Sequence, residues 1–262
     1  MLAETPAPMN KASASDIHTL SALRALGVRV GAAARPWLDV LYPPGCARCG
    51  DRIRAEDVLC PPCMADMVPY PVTAQSSEEH LAALRFRAAA TMMSVGFEFE
   101  IDGSVSACIH TMKYRGMHRV ARWLGRLIGE QLAGSDVLRG APALVPVPLH
   151  AVKRIERGFN QAEEICHGIA RETGLPVVAD AVRRVRYTQS QAAMKLHVEE
   201  RKTNVSNAFT INPRCIDVVR DRPVLLVDDL ITTGATMSEC ASALREQGVR
   251  DVRYAAVARP PG

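Results

Sequence analysis

Val224-Leu225-Leu226-Val227-Asp228-Asp229-Leu230-Ile231-Thr232-Thr233-Gly234-Ala235-Thr236 is the stretch from which the rest of the chain is read. Its first four residues form a continuous apolar run, as expected of a strand covered on both faces. Two acids follow at once. A loop of small and hydroxyl residues then enters a helix with Met237, Cys240, Ala241 and Leu244 on one face. Ligands in open α/β sheets bind beyond the carboxyl ends of the strands, which is where the acids and the loop fall. Successive backbone N–H groups and hydroxyls, backed by a helix N-terminus, suit a phosphate. Two adjacent carboxylates are costly to bury without donors or a metal. Ribose 2′- and 3′-hydroxyls supply such donors, and a nearby Mg²⁺ supplies charge. The plain alternative is a solvated turn with a threonine helix cap. The loop lacks the Gly-Lys-Thr of a Walker-type phosphate loop.

Outward from this stretch, strands and helices alternate. Residues 91–101 read as a strand or hairpin and residues 103–132 as a helical stretch. Residues 143–148 read as a strand, and 160–173 as a helix stopped at Gly174. Residues 236–247 read as a helix stopped at Gly248, and 252–258 as a strand. This order predicts an α/β protein with a mostly parallel sheet flanked by helices. Residues 1–36 read as a tail and a short helix starting at Asp16, 37–72 as a small cysteine module, and 73–262 as the α/β domain.

With 262 residues, 48% of them apolar, the chain can bury a sizeable core. The net charge of +4 is too mild to argue for nucleic acid alone, and 5% aromatic content is low for a protein that grips single strands by base stacking. No apolar run reaches the ~18 residues of a membrane span. The first residues lack a basic start followed by an apolar core, so a cytoplasmic location is expected. The cysteines agree: of eight, Cys108, Cys166, Cys215 and Cys240 are scattered singly, as in a reducing compartment.

The other four form two knuckles, Cys46-Ala47-Arg48-Cys49 and Cys60-Pro61-Pro62-Cys63, with ten residues between them. Four soft thiolates closing a tetrahedron favour structural Zn²⁺, with no open position for catalysis. A redox pair is the alternative, and it lacks a thioredoxin-like context.

Two basic strings complete the candidate site. His150, Lys153, Arg154 and Arg157 follow the strand exit Val145-Pro146-Val147-Pro148 and lead into Gly158-Phe159-Asn160-Gln161. Such a cation cluster suits a pyrophosphate, although charge runs are commonly solvated helix starts. Residues 183–202 form a second basic stretch, read either as an exposed loop or as a lid that closes over a ligand.

These strings carry a resemblance. Residues 224–236 closely resemble the phosphoribosyl-pyrophosphate motif of type I phosphoribosyltransferases. Pro146-Val147-Pro148-Leu149-His150, Arg157-Gly158-Phe159-Asn160-Gln161, Thr188 with Gln191, and Arg201 with Asn204-Val205 narrow it to the ComF/GntX family. Leu41-Tyr42-Pro43-Pro44 before the cysteines and the turn Lys113-Tyr114-Arg115-Gly116 fit as well, so the resemblance covers roughly residues 37–260. It implies that Asp228 and Asp229 contact the ribose hydroxyls as the catalytic pair. Thr232, Thr233, Gly234, Ala235 and Thr236 would cradle the 5′-phosphate. It also implies phosphoribosyl pyrophosphate with Mg²⁺ as ligand and a link to DNA uptake in natural transformation. The acceptor of any transferred ribosyl group stays open. The alternative is a non-catalytic competence factor that binds single-stranded DNA through residues 113–126 and 183–202, with other competence proteins as partners.

Overall fold

The computed structural model describes residues 44–70, 90–185 and 208–260. The expected helix from Asp16, the lead-in before Pro44 and most of the second basic stretch lie outside the described residues. The elements are α1 (Pro61–Ala65), β1 (Met93–Glu98), α2 (Ser104–Tyr114), α3 (His118–Leu132), β2 (Ala143–Pro146), α4 (Ala151–Arg157) and α5 (Gln161–Thr173). After these come β3 (Val182–Arg184), β4 (Phe209–Ile211), α6 (Ile216–Arg220), β5 (Val224–Leu230), α7 (Ala235–Glu246) and β6 (Val252–Arg259). Residues 45–262 form one compact unit.

Four strands make a wholly parallel sheet in the order β1-β6-β5-β2. Alternate residues of its central strands enter two separate apolar layers, as the two-residue period of a strand requires. Leu225, Val227, Ala255 and Val257 pack with Cys108, Ile109 and Met112 of α2, Leu124 and Ile128 of α3, and Ile165 and Ile169 of α5. Val224, Leu226, Tyr254 and Ala256 pack with Met237, Cys240 and Leu244 of α7 and with Val182 and Phe209 of the antiparallel β3–β4 pair. The expected α/β fold, a parallel sheet with helices on both faces, is the one found.

Helices α3 and α5 touch backbone to backbone. A Cβ on Gly125 would lie 2.2 Å from the Ile165 carbonyl oxygen, and one on Gly168 would lie 2.3 Å from the Arg122 carbonyl oxygen.

The cysteine module joins the first of these layers. Val58, Leu59 and Met67 share a core with Phe97, Ile109 and Leu124. Its last residues then run along the outer edge of β1: Pro69 pairs with Phe97 in antiparallel sense, Glu98 N–H donates to Val68 O (2.9 Å), and Tyr70 N–H donates to Gly96 O (3.0 Å). Arg48 holds Asp66 at 2.6 Å, and Ser104 at the start of α2 donates to the same carboxylate oxygen at 3.2 Å.

The helical stretch 103–132 divides into two helices at the turn Lys113-Tyr114-Arg115-Gly116, where Gly116 takes φ +61° between α2 and α3. That left-handed conformation ends a helix and is open to glycine without a side-chain penalty. The strand expected to end at Val227 runs on through the acid pair to Leu230. Asp228 and Leu230 stand in register with Ala256 and Ala258 of β6, and that ladder outweighs the poor strand preference of aspartate.

Candidate functional site

The parallel sheet turns all its strand ends toward one rim, and β5 carries the acid pair there. Strand alternation puts Asp229 on the face of α2 and Asp228 on the face of α7. Asp229 is only 8% exposed, and the Lys113 ammonium from the last turn of α2 lies 2.7 Å from its Oδ2. The Asp229 N–H donates to Asp228 Oδ1 at 2.8 Å. Burial, and after it the Asp229 charge, push the Asp228 carboxyl up to about 7, against the opposing pull of the Asp229 N–H, Lys113 and Arg157.

The loop beyond the pair is pinned at its start and open at its tip. Ile231 is buried and its N–H donates to Ala258 O at 3.0 Å, while Thr232 and Thr233 are exposed. Gly234 is the residue before α7, Thr233 Oγ1 accepts from Ala235 N–H at 3.4 Å, and Ala235 and Thr236 are half-buried. The first turn of α7 contains no acid, so its free N–H groups face the loop without a competing carboxylate.

Helix α4 supplies the facing cations. His150 caps it, its Nδ1 accepting from Val152 N–H at 3.3 Å. Lys153 and Arg157 are half-buried. The Lys153 ammonium is held below its ordinary pKa by burial first, and then by Arg157, Arg184 and Lys113. Cations from three separate elements, Lys113 of α2, Arg157 of α4 and Arg184 of β3, thus lie near enough to Lys153 to oppose its charge. Arg154 points elsewhere, 3.5 Å from Glu163.

The residues after α4 position it. Arg157 donates to Oε1 of buried Gln161 at 3.0 Å. Asn160 caps α5 through Ala162 N–H and donates to Val147 O at 3.1 Å, fastening the helix start to the exit of β2. Phe159 is buried with its ring stacked on His118 at 3.8 Å.

Sequence reasoning missed Lys113 and Arg184 as members of this crevice. In the sequence Lys113 falls in a basic helical stretch, and its one distinguishing sign is the string Lys113-Tyr114-Arg115-Gly116. Arg184, above the Phe209 ring at 5.4 Å, was grouped with the basic stretch that follows it. The arginines of α3 in that stretch are engaged within the protein: Arg122 pairs with Glu164, Arg126 with Glu172, and Arg119 donates to Ala55 O.

In the cysteine module, Cys46, Cys49, Cys60 and Cys63 bring their sulfurs within 4.8 Å of one another, with Cys49 and Cys60 at 3.6 Å. A Zn–S bond of about 2.3 Å gives a tetrahedral edge of about 3.8 Å, so the set fits structural zinc. Although burial raises it, the Cys46 thiol is brought down to about 6 by the N–H groups of Cys49, Cys60 and Arg48. Cys63 is instead raised by burial, and Cys49, against the pull of the Asp51 N–H, is pushed up to about 12 by burial and the Cys46 and Cys60 thiols. One thiolate thus forms first, and a metal is what holds the others ionised.

Residues 151–262 match the phosphoribosyl transferase domain and residues 37–75 the double zinc ribbon domain. Competence protein F of Haemophilus influenzae is 32% identical over 160 residues, covering 59% of this chain and 68% of that protein. The chain belongs to the ComF family. Other ComF-like relatives are the DNA utilization protein YhgH of Salmonella typhi, 30% identical over 57% of this chain and 64% of its own length, and that of Escherichia coli K12, 27% identical over 79% and 87%. The glutamine phosphoribosylpyrophosphate amidotransferase of B. subtilis aligns with 52% of this chain and 26% of its own, at 21% identity and a TM-score of 0.36. Within this ComF chain the transferase match takes in β5, its loop and α4, and it leaves out α2 with Lys113.

Proposed function

We propose that this ComF protein binds phosphoribosyl pyrophosphate with Mg²⁺, in the cytoplasm, in the service of DNA uptake. The observation that carries the reading is the convergence of Lys113, Lys153, Arg157 and Arg184 on the rim that holds the acid pair. A cluster of cations beside two carboxylates is costly to take out of water. It is well suited to a ligand that is a hydroxyl-bearing sugar at one end and a polyanion at the other.

Asp228 and Asp229 accept the ribose 2′- and 3′-hydroxyls. Thr232 to Thr236 and the start of α7 receive the 5′-phosphate. Lys153 and Arg157 take the pyrophosphate, with His150 flanking it. Mg²⁺ arriving with the ligand would be held on the side of Asp228 and Asp229 and would supply positive charge toward the leaving pyrophosphate. In a transferase reaction the two carboxylates stabilise a sugar cation as the pyrophosphate leaves. The relatives, a competence protein and DNA utilization proteins, support the cellular role. A non-catalytic, single-strand-binding role is less favoured, because three of the arginines it would use in α3 already hold protein partners.

Calorimetric titration of the purified protein with phosphoribosyl pyrophosphate and Mg²⁺ tests the reading. Saturable heat is expected from the wild type, and its loss is expected in the variant carrying both Asp228→Asn and Asp229→Asn. A folded wild type that gives no heat ends the proposal and turns attention to single-stranded DNA.

A further inference from the structure

Lys113 is the residue of the site that neither matched domain covers. Its ammonium is shielded: the side chain is 19% exposed, and the Asp229 side chain 11%. Both halves of the crevice feel it, since it disfavours charge on Lys153 and favours charge on Asp228. It stands in the last turn of α2, two residues before the turn at Arg115-Gly116. Its flexible four-carbon stem lets the head group move with the backbone in place.

A shielded ion pair is costly to break unless each partner finds another. A sugar hydroxyl that approaches Asp229 meets a carboxylate oxygen already engaged by Lys113. If the ammonium leaves, it needs a new anion, and the cations around it mark where that anion binds.

We propose that Lys113 is an exchangeable latch, which closes Asp229 in the free protein and passes to the pyrophosphate of the bound ligand, releasing the carboxylate to the sugar hydroxyls. The inference rests on the phosphoribosyl reading above and adds a selectivity to it. Ribose 5-phosphate must displace Lys113 without giving it a partner, whereas the complete ligand brings its own replacement for Asp229. The latch therefore discriminates against the truncated sugar.

The test is calorimetric titration of wild type, K113Q and K113R with ribose 5-phosphate and, separately, with phosphoribosyl pyrophosphate and Mg²⁺. K113Q is expected to bind ribose 5-phosphate roughly tenfold more tightly and the pyrophosphate ligand roughly tenfold more weakly, as for one charged hydrogen bond removed from each side. K113R grips a carboxylate with two donors, so it is expected to weaken ribose 5-phosphate binding below the wild-type value. It decides the question if K113Q does not fold. Changes of the same sign for both ligands, or no change, overturn the latch while wild-type binding keeps the phosphoribosyl reading intact. If the wild type binds neither ligand and K113Q gains no affinity for ribose 5-phosphate, both fall.

Discussion

Asp228 is the residue whose ionisation the fold opposes most plainly at the site. Its carboxyl stands at about 7 in the folded protein against 3.8 as the ordinary value. The folded state therefore keeps a proton that the unfolded state has lost between those two values. The resulting stabilisation is complete below pH ~4 and is lost as pH rises to ~7. Asp228→Asn removes the titration and retains an oxygen to accept the Asp229 N–H. The variant's thermal midpoint minus that of the wild type is thus expected to grow from pH 4.5 to pH 8 in phosphate-free buffer, and a flat difference would contradict the assignment. At this scale the acid pair at a strand end and the Thr-Gly loop before a helix were legible in the sequence, because both are short continuous strings. Lys113 was not, because it lies 116 positions before Asp229 in the chain and only the docking of α2 on the sheet brings them together.

Among the elements, α3 and α5 set how closely the first layer can pack under β2 and β5. Alanine is favoured over glycine in a helix by about 1 kcal/mol. At Gly125 and Gly168 the new methyl would sit within 2.3 Å of a main-chain oxygen, and overpacking against backbone costs about 1–3 kcal/mol or more. The clash wins. Gly125→Ala or Gly168→Ala is expected to lower the thermal midpoint by about 5 °C, a loss visible by circular dichroism. Gly129→Ala, where the nearest atoms lie at 3.0 and 3.2 Å, is expected to change it far less. Equal midpoints for all three variants would show that the helices can separate freely. Periodicity and glycine stops located most of these elements. What escaped was the true end of β5, which is decided by pairing with β6 and so lies in no local window.

For the whole molecule, the zinc ribbon is part of the core beneath the site. Its apolar residues share a layer with α2 and α3, and Arg48, Asp66 and Ser104 tie it to the helix that carries Lys113. Removing the metal leaves four clustered thiols with no ion to hold them together. Chelation is therefore expected to lower the single main transition seen by calorimetry and to weaken phosphoribosyl pyrophosphate binding in parallel. A separate low-temperature transition with ligand binding unchanged would mean that the ribbon is an independent appendage. The sequence marked the cysteines as a zinc module, yet gave no sign of this shared core, because the contacts join residues far apart along the chain.

The segment Val68–Tyr70, hydrogen-bonded along the free side of β1, has a protective consequence. An outermost strand with open N–H and C=O groups is a template on which other chains can add and propagate aggregates. Here the chain that leaves the metal knuckles covers that template. Zinc starvation would thus cost the cell more than a binding surface: it would uncover a sticky strand, and the metal-poor protein would leave solution as self-associated material.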